Sequence, residues 1–461
     1  MDESKKSTKK VVMYIALVIL IILLIACLVI AFNNTRNNLS SESSNSDISI
    51  YSDNEELSFS VTQTSIDLSS EKTVKITSGG SYDLSGEYDL VYVNTTKDVV
   101  LNLNEVTITN SAGPGIYVEE ADNVKIVLSG KNVINSTTNE NLDGSIYSKG
   151  DLILSGEGEL TIKSNYDGIV SKDTLVIESG TYNITSDDDG VRGKDFVKIT
   201  GGVLNITAGG DGIKSNNDED TSKGYIEISN GTFNITSYND AVQAETYAKI
   251  TGGTFNLKTQ DTLSSDSSKG IKAGTIITIT GGTFDINSID DSIHSNGDIT
   301  INGGKFVIET KDDGIHADGK VEINDGTFDI TAAEGIEATY VKINGGTFNI
   351  SASDDGINAG NKSSAYSVTI EINGGNITIK MGQGDTDGID SNGNLYINGG
   401  TIDITGNSPF DYDGESKYTG GTIIVNGTET NTITNQMMGG QGGFGGDRMM
   451  QNQNQGFGGR R

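Results

Sequence analysis

Short stretches in which apolar and polar residues alternate recur along most of the chain, and each one ends at a glycine or an aspartate. Between positions 341 and 350, polar residues and a Gly-Gly turn separate the apolar residues Val341, Ile343, Phe348 and Ile350. Alternation with a period of two is typical of a β-strand that buries one face. The pattern therefore predicts short strands joined by tight turns, with no helices between them.

A glycine-containing turn defines an internal repeat of about 22 residues, and some repeats are about seven residues longer. The turn recurs at Gly180, Gly202, Gly231, Gly253, Gly282, Gly304, Gly326, Gly346, Gly375, Gly400 and Gly421. Repeats this short predict an all-β fold, a single-stranded parallel β-helix whose coils stack roughly 4.8 Å apart. A leucine-rich-repeat solenoid has a similar period, but this unit lacks its leucine spacing, and a β-sandwich would not repeat its sequence so regularly.

Equivalent residues of stacked coils form ladders along such a solenoid. One predicted ladder follows the glycine turn and is mostly aromatic. It contains Tyr182, Leu204, Phe233, Phe255, Phe284, Phe306, Phe328, Phe348, Ile377 and Ile402. We interpret it as an interior stack, because apolar residues two positions further on, such as Ile235 and Ile286, share its face. An exposed aromatic platform for sugar rings is the alternative interpretation.

The two ends of the chain differ from the repeats. An uncharged apolar run from Val11 to Phe32 follows four lysines and is long enough to cross a bilayer. We predict a signal anchor or transmembrane segment at 1–32, a Ser/Asn-rich linker at 33–56, the β-helix domain at 57–435 and a disordered Gly/Gln/Met-rich tail at 436–461. The domain is then extracellular on a single-pass cell-membrane protein. Alternatively, Cys27 in a lipobox-like context is the lipid anchor of a lipoprotein.

Composition narrows the possible chemistry. The chain has 63 acidic and 32 basic residues and a net charge of −31, which argues against nucleic acid as a partner. A single cysteine excludes an internal disulfide, and with only two histidines the usual thiolate or multi-histidine zinc sites are excluded as well. The composition therefore favours cations as partners and oxygen atoms as their ligands.

A second predicted ladder consists of aspartates in repeated Asp-Gly-Ile turns. Carboxylates stacked 4.8 Å apart repel one another, which favours a hard cation such as Ca²⁺, and several rungs offer two or three carboxylates where a turn needs one. The candidate calcium ligands are Asp187, Asp188, Asp189, Asp211, Asp240, Asp290, Asp291, Asp312, Asp313, Asp354, Asp355 and Asp387. In the alternative interpretation the aspartates only form the turns.

The position two residues beyond the glycine of that turn is predicted to point outward. Down the axis it is occupied by Arg192, Lys214, Lys272, His294 and His316, among other residues. A basic strip beside a calcium column suits a polyanionic sugar chain, whose carboxylates pair with Lys and Arg. The alternative is a solvated strip that only relieves local acidic repulsion.

The repeated Gly-Gly-Thr-Phe-Asn-Ile and Asp-Asp-Gly-Ile motifs, behind a membrane or lipoprotein signal, resemble a clostridial-type family of extracellular, pectate-lyase-like proteins that bind cellulose and acidic sugars. The resemblance extends from about Ile76 to Asn426. It implies a right-handed β-helix, calcium at the Asp-Asp-Gly positions and binding of polygalacturonate-like polymers. The chain has no tryptophan, which weakens the expectation for cellulose more than that for acidic sugars.

We therefore predict a monomeric cell-surface protein that binds acidic polysaccharide with calcium. A calcium-dependent polysaccharide lyase is one alternative, in which a Lys or Arg acts as the base. Arg192, Lys214 and Lys272 suit that role by residue type, but no spacing singles one out, so a non-enzymatic role is favoured. A surface adhesin or stalk without a small ligand is the other alternative.

Overall fold

The structure is a computed structural model that describes residues 65–67, 72–260, 267–382 and 386–435. The chain divides into the units Met1–Glu56 and Leu57–Arg461, and all described residues belong to the second. The predicted anchor at 1–32, the linker at 33–56 and the tail at 436–461 lie outside the described residues. Within the described ranges, no helix is long and apolar enough to cross a membrane.

All regular secondary structure of the described residues is β-strand, in one 43-stranded sheet. The first strands are uneven in length. They are β1 (Ser65–Asp67), β2 (Thr73–Ile76), β3 (Gly80–Tyr88), β4 (Leu90–Asn94), β5 (Val99–Asn110), β6 (Ile116–Glu120), β7 (Asn123–Ser129), β8 (Lys131–Ser136) and β9 (Gly144–Ser148).

The middle of the sheet is regular, with three strands in each repeat. Its strands are β10 (Asp151–Gly156), β11 (Glu159–Ser164), β12 (Asp167–Ser171), β13 (Thr174–Ile177), β14 (Thr181–Ser186), β15 (Val191–Gly193), β16 (Phe196–Ile199), β17 (Val203–Ala208), β18 (Ile213–Ser215), β19 (Tyr225–Ile228), β20 (Thr232–Ser237), β21 (Val242–Ala244), β22 (Tyr247–Ile250), β23 (Thr254–Thr259), β24 (Ile271–Ala273), β25 (Ile276–Ile279), β26 (Thr283–Ser288), β27 (Ile293–Ser295), β28 (Asp298–Ile301) and β29 (Lys305–Thr310). From β10 to β27 each strand pairs in parallel with the third strand after it, as β14 does with β17 and β17 with β20, whereas β28 and β29 pair with the second strand after them.

Towards the C-terminus two strands become longer, and the last pairing is antiparallel, between β42 and β43. These strands are β30 (Ile315–Ile323), β31 (Thr327–Ala332), β32 (Ile336–Ile343), β33 (Thr347–Ala352), β34 (Ile357–Ala359), β35 (Thr369–Ile372), β36 (Asn376–Met381), β37 (Asp387–Ser391), β38 (Asn394–Ile397), β39 (Thr401–Thr405), β40 (Ser408–Tyr412), β41 (Ser416–Tyr418), β42 (Thr422–Val425) and β43 (Thr428–Thr430). An unclosed sheet dominated by parallel pairs between successive repeats is consistent with the predicted β-helix, and the all-β class is confirmed.

The aromatic ladder is interior. Strand register places Phe233, Phe255, Phe284, Phe306, Phe328 and Phe348 on successive rungs. Neighbouring rings are stacked with centroids 4.6–4.7 Å apart and interplanar angles of 2–7°. Every one of these side chains is buried. The interior interpretation is therefore confirmed, and the alternative of an exposed sugar platform is wrong for these rings.

The glycine before each phenylalanine is required by two features of the turn. Gly253 has φ of +116°, a conformation that residues with a side chain rarely adopt. A Cβ atom there would also lie 3.0 Å from the ring of Phe255. The recurring glycine thus allows the chain to turn closely over the aromatic stack.

Replacement of one stacked ring tests this packing. We expect Phe284→Ala to lower the free energy of unfolding by about 3–5 kcal/mol, because it leaves a cavity between two buried rings. The control is Val307→Ala, on the neighbouring strand, where the side chain is 41% exposed; it should change stability by less than about 0.5 kcal/mol. Thermal and urea unfolding of the full chain measure both, and equal stability of the two variants would contradict the interior stack.

Candidate functional site: two polar ladders

One buried or half-buried residue from each repeat forms what we term the carboxylate ladder. In order it contains Asp167, Asp189, Asp211, Asp240, Lys269, Asp291, Asp313, Glu334, Asp355 and Asp387, so that a lysine replaces one carboxylate. The order follows from backbone hydrogen bonds, in which the residue after each rung donates its N–H to the carbonyl of the next rung, as Gly190 does to Asp211. The candidate ligands of the sequence that belong to this ladder therefore do stack above one another.

In six of the ladder aspartates, one carboxylate oxygen accepts a hydrogen bond from the backbone of the next repeat. Oδ1 of Asp167 accepts a hydrogen bond from the N–H of Asp189 at 3.0 Å, and Oδ1 of Asp189 accepts one from Asp211 at 2.8 Å. Oδ1 of Asp211, Asp240, Asp291 and Asp355 accepts the same hydrogen bond from the backbone N–H of the next residue in the ladder. These six aspartates therefore do more than form turns, since each one also holds the backbone of the next repeat.

A second line of side chains, the outer ladder, runs beside the first. Strand register places these residues on successive rungs: Arg192, Lys214, Gln243, Lys272, His294, His316, Glu337, Asn358, Asp390 and Asp411. The same line continues towards the N-terminus as Val170, Tyr147, Tyr117 and Tyr92. The five predicted basic residues thus share one line, as the repeat indicated.

The basic residues bind the carboxylate ladder instead of projecting freely into solvent. Arg192 Nη2 lies 2.5 Å from Asp143 Oδ2 and also contacts Asp167. Lys214 Nζ lies 2.6 Å from Asp211 and 3.3 Å from Asp189. The expectation of an outward-pointing strip therefore needs correction. The alternation of the strand points these residues away from the core, but there their charged groups pair with aspartates of the neighbouring turns.

The lysines of the next rungs are paired in the same way. Lys272 Nζ lies 3.4 Å from Asp240 Oδ2. Lys269, the lysine within the carboxylate ladder, lies 2.5 Å from Asp290 and 3.3 Å from Asp291. Positive side chains of the protein therefore already lie beside the carboxylates of the middle rungs.

The two histidines stack on each other, with ring centroids 4.8 Å apart. His294 Nδ1 is 2.7 Å from Asp291 Oδ2. His316 Nδ1 is 2.7 Å from Asp313 Oδ2 and 2.9 Å from Glu337 Oε2. Burial lowers the pKa of His316, but the hydrogen bonds to these two carboxylates outweigh it and raise the pKa to about 10.

The remaining candidate ligands lie outside the carboxylate ladder. Asp187, Asp188, Asp312 and Asp354 are exposed, and Asp290 is half-buried. Carboxylate oxygens of Asp188, Asp167 and Asp189 lie within 4.8 Å of one another, and so do those of Asp290, Asp291 and Asp312. The first aspartate of a pair can thus approach the ladder, but its exposure leaves its charge solvated.

The outer ladder changes character after His316. Its next occupants are Glu337, Asn358, Asp390 and Asp411, while Asp355 continues the carboxylate ladder beside them. Lys362 Nζ lies 2.8 Å from Glu337 Oε1 and comes from outside both ladders. From Asn358 onward the described outer ladder offers oxygen atoms where earlier rungs offer positive charge.

Two observations mark this C-terminal cluster, which we define as Asn358, Asp355, Thr386, Asp387, Asp390 and Asp411. Burial and the neighbouring carboxylates raise the pKa of Asp355 to about 6 and that of Asp390 to about 7. Among the described residues, buried Asn358 Oδ1, Thr386 Oγ1 and Asp411 Oδ1 have no hydrogen-bond partner, and the same holds for Asp143 Oδ1 and Gln243 Oε1 nearer the N-terminus. Sequence reasoning did not single out Asn358, Thr386, Asp390 and Asp411 as candidate ligands, although Asn358 and Asp390 stand two residues beyond the glycine of a repeat turn.

Three comparisons relate the chain to known proteins. A family model described as "Carbohydrate-binding domain-containing protein" matches residues 70–314 and 309–438. A carbohydrate-binding domain-containing protein of Acetivibrio thermocellus is 35% identical over 126 residues, which are 24% of this chain and 44% of the relative. The match thus spans less than half of that relative's length. A solved structure titled as a polysaccharide lyase-like protein from C. thermocellum, a gadolinium derivative, is 28% identical and covers 51% of this chain and 95% of its own, with a TM-score of 0.39.

Removal of one ladder cation tests the pairing. Arg192→Met keeps much of the side-chain volume but leaves buried Asp167 without its counter-ion and Asp143 with Lys172 alone, so we expect a loss of about 3–5 kcal/mol in the free energy of unfolding. The control is Lys194→Met, which breaks the exposed pair with Glu219 and should cost at most about 1 kcal/mol. Chemical unfolding of both variants measures the difference, and a neutral Arg192→Met would show that the ladder does not need this cation.

Proposed function

Because the chain belongs to the family of carbohydrate-binding domain-containing proteins, we propose that it binds an acidic, polygalacturonate-like polysaccharide together with calcium at the cell surface. In this proposal the sheet winds as a right-handed parallel β-helix. The apolar run at 11–32 attaches the chain to the membrane as a single span or, in the alternative, through Cys27. The polysaccharide part follows from the family, and the calcium part follows from the C-terminal cluster.

The change in the outer ladder after His316 is the observation that carries the calcium proposal. Ca²⁺ takes six to eight oxygen ligands, and carboxylates, amide carbonyls and hydroxyls are all suitable. The C-terminal cluster supplies those groups, and three of its buried oxygens have no hydrogen-bond partner. On the middle rungs Arg, Lys and His already neutralise the carboxylates, so we place calcium at the C-terminal cluster and not along the whole aspartate ladder.

Calcium at this position also offers a way to hold an acidic sugar. The side chains of Asp390 and Asp411 are only partly buried, so an ion bound by them can accept a carboxylate of the polymer as a further ligand. The lysines and arginine of the ladder have protein carboxylates as partners, so calcium and not the basic strip makes the charged contact. At the other end of the outer ladder, half-buried Tyr92 and Tyr117, with ring centroids 5.5 Å apart, offer apolar contact to sugar rings.

The ion pairs favour binding over lyase chemistry. A lyase base must be unprotonated when it takes the proton of the uronate. Burial lowers the pKa of Lys214, but Asp211 and Asp189 outweigh it and raise the pKa above the ordinary lysine value. Lys214 therefore stays protonated at neutral pH. A non-catalytic binding protein fits these contacts better.

Calcium and polymer should both stabilise the folded chain. We expect millimolar Ca²⁺ to raise the melting temperature of the full chain relative to EDTA, because an ion that binds only the folded state stabilises it by about 2.7 kcal/mol at one hundred times its Kd. Polygalacturonate should add a further rise only when calcium is present. Thermal melting in all four conditions measures this, and a pull-down with the polymer measures binding directly.

The matched variants for that experiment are Asp390→Asn with Asp411→Asn, and Asp285→Asn with Glu309→Gln as the control. The control removes the same charge from exposed positions on β26 and β29. We expect the first pair to abolish the calcium shift and the control to keep it. A wild-type chain whose melting temperature ignores calcium would contradict the calcium proposal, and one that binds neutral and acidic polymers equally would contradict the acidic specificity.

The pH dependence of stability provides a separate test. The raised pKa values of Asp355 and Asp390 mean that the folded chain binds protons more tightly than the unfolded chain, so their contribution favours folding below about pH 4 and is lost as the pH rises through about 6 to 7. In EDTA we expect the melting temperature to fall between pH 5 and pH 8. Calcium should remove only the part of this fall that comes from Asp355 and Asp390, because burial also raises the pKa of Asp167, Asp211 and Asp313 on rungs outside the cluster. A melting temperature in EDTA that rises over this range would contradict the placement of these carboxyl groups.

A further inference from the structure

The ladders bring together both histidines of the chain, although 21 residues separate them in sequence. Donor atoms of Asp291, His294 and His316 lie within 4.8 Å of one another, and donor atoms of Asp313, His316 and Glu337 do as well. His316 belongs to both groups. The histidine rungs therefore combine nitrogen and oxygen donors, unlike the C-terminal cluster, which contains only oxygen donors.

The distances around His316 suit a metal ion. Nδ1 of His316 lies 2.7 Å from Asp313 Oδ2 and 2.9 Å from Glu337 Oε2. Zinc binds nitrogen and carboxylate oxygen at about 2.0–2.2 Å in tetrahedral geometry, so two of its ligand atoms are about 3.4 Å apart. Small side-chain movements would therefore give all three atoms bonding distance to one ion.

Neighbouring groups fix these donors in place. Glu337 uses Oε1 for Lys362 at 2.8 Å, which leaves Oε2 directed at His316. Asp291 accepts the N–H of Asp313 through Oδ1 and contacts His294 through Oδ2. His294, His316, Asp313 and Glu337 all have side chains that are largely buried. The site is thus held by both the ladder backbone and charged partners.

We propose that His316, Asp313 and Glu337, with His294 and Asp291 from the preceding rung, bind a borderline divalent cation such as Zn²⁺. Imidazole with carboxylate selects Zn²⁺ and similar ions over Ca²⁺, which prefers oxygen alone. The site is separate from the proposed calcium cluster and does not depend on carbohydrate binding. Sequence composition pointed only to oxygen ligands, and although the repeat placed both histidines on one line, it did not show that Asp313 and Glu337 meet at His316.

A proton competes with the metal. In the metal-free protein the proton of His316 is held by Asp313 and Glu337, and binding must release it. Other charges face the site as well: Lys269 lies 3.3 Å from Asp291, and Asp318 lies 3.6 Å from His316 Nε2. The lysine opposes an incoming cation and Asp318 favours it. Because binding of the metal displaces this proton, affinity for the metal should fall as the pH is lowered.

Calorimetric titration of the full chain with Zn²⁺ tests the proposal. The protein is purified in detergent, stripped of metal and held in saturating calcium, with Cys27→Ser in every sample so that no thiol competes. We expect one Zn²⁺ per chain at pH 8 and weaker binding at pH 7. His316→Gln should weaken binding at least 100-fold and His294→Asn at least tenfold, while Glu309→Gln, exposed on β29, should leave it unchanged.

A spectroscopic readout covers the case in which a histidine variant folds poorly. Co²⁺ replaces Zn²⁺ in such sites, and its visible absorption reports nitrogen ligation. In the wild-type chain we expect a Co²⁺ spectrum that Zn²⁺ abolishes and excess Ca²⁺ does not. No zinc binding at pH 8, or equal binding by His316→Gln, would overturn the proposal. Neither result would affect the calcium shift, so the two proposals can fail separately.

Discussion

A buried carboxylate at the same corner of successive repeats is the constraint on which the other polar features depend. Its Oδ1 accepts the N–H of the next repeat, as between Asp167 and Asp189 or Asp211 and Asp240. That bond fixes the corner but also stacks negative charges in a partly dehydrated line, where they repel one another strongly. Each rung therefore needs a positive charge or a proton beside it.

The outer ladder meets this need in different ways along the chain. Arg192 and Lys214 bridge carboxylates of adjacent rungs, so one cation serves two charges. His294 and His316 follow, with cationic character that depends on protonation or on metal. Beyond them the outer ladder has Asn358 and Asp390, which carry no positive charge. The carboxylates of these rungs are therefore the ones that we propose a bound cation neutralises. With such a gradient the chain's own cations serve the rungs of Arg192 and Lys214, and the proposed bound ions belong to the later rungs.

The sequence alone predicted the parts of the structure that follow from the repeat. The phenylalanine stack and the outer ladder stand where the spacing placed them, because in-register pairing carries each position onto its equivalent in the next repeat. Partners of individual side chains did not follow from the spacing. Asp143 and Lys269 form ion pairs with ladder residues although neither fits the repeated motif. Lys362 pairs with Glu337 from a loop. The first aspartate of each pair is more exposed than the second. Such contacts depend on loop paths and side-chain directions that a repeat of apolar positions does not encode.

We infer that the chain's own basic residues neutralise the carboxylate ladder around Arg192 and Lys214, and that a bound cation does so at the C-terminal end. Anomalous X-ray scattering from crystals grown in saturating calcium tests this most directly, because it locates calcium independently of the protein density. We predict an anomalous peak among Asp355, Asp387, Asp390 and Asp411, and none among Asp167, Asp189 and Asp211. Calcium on the rungs of Arg192 and Lys214, or no calcium on either ladder, would contradict the account.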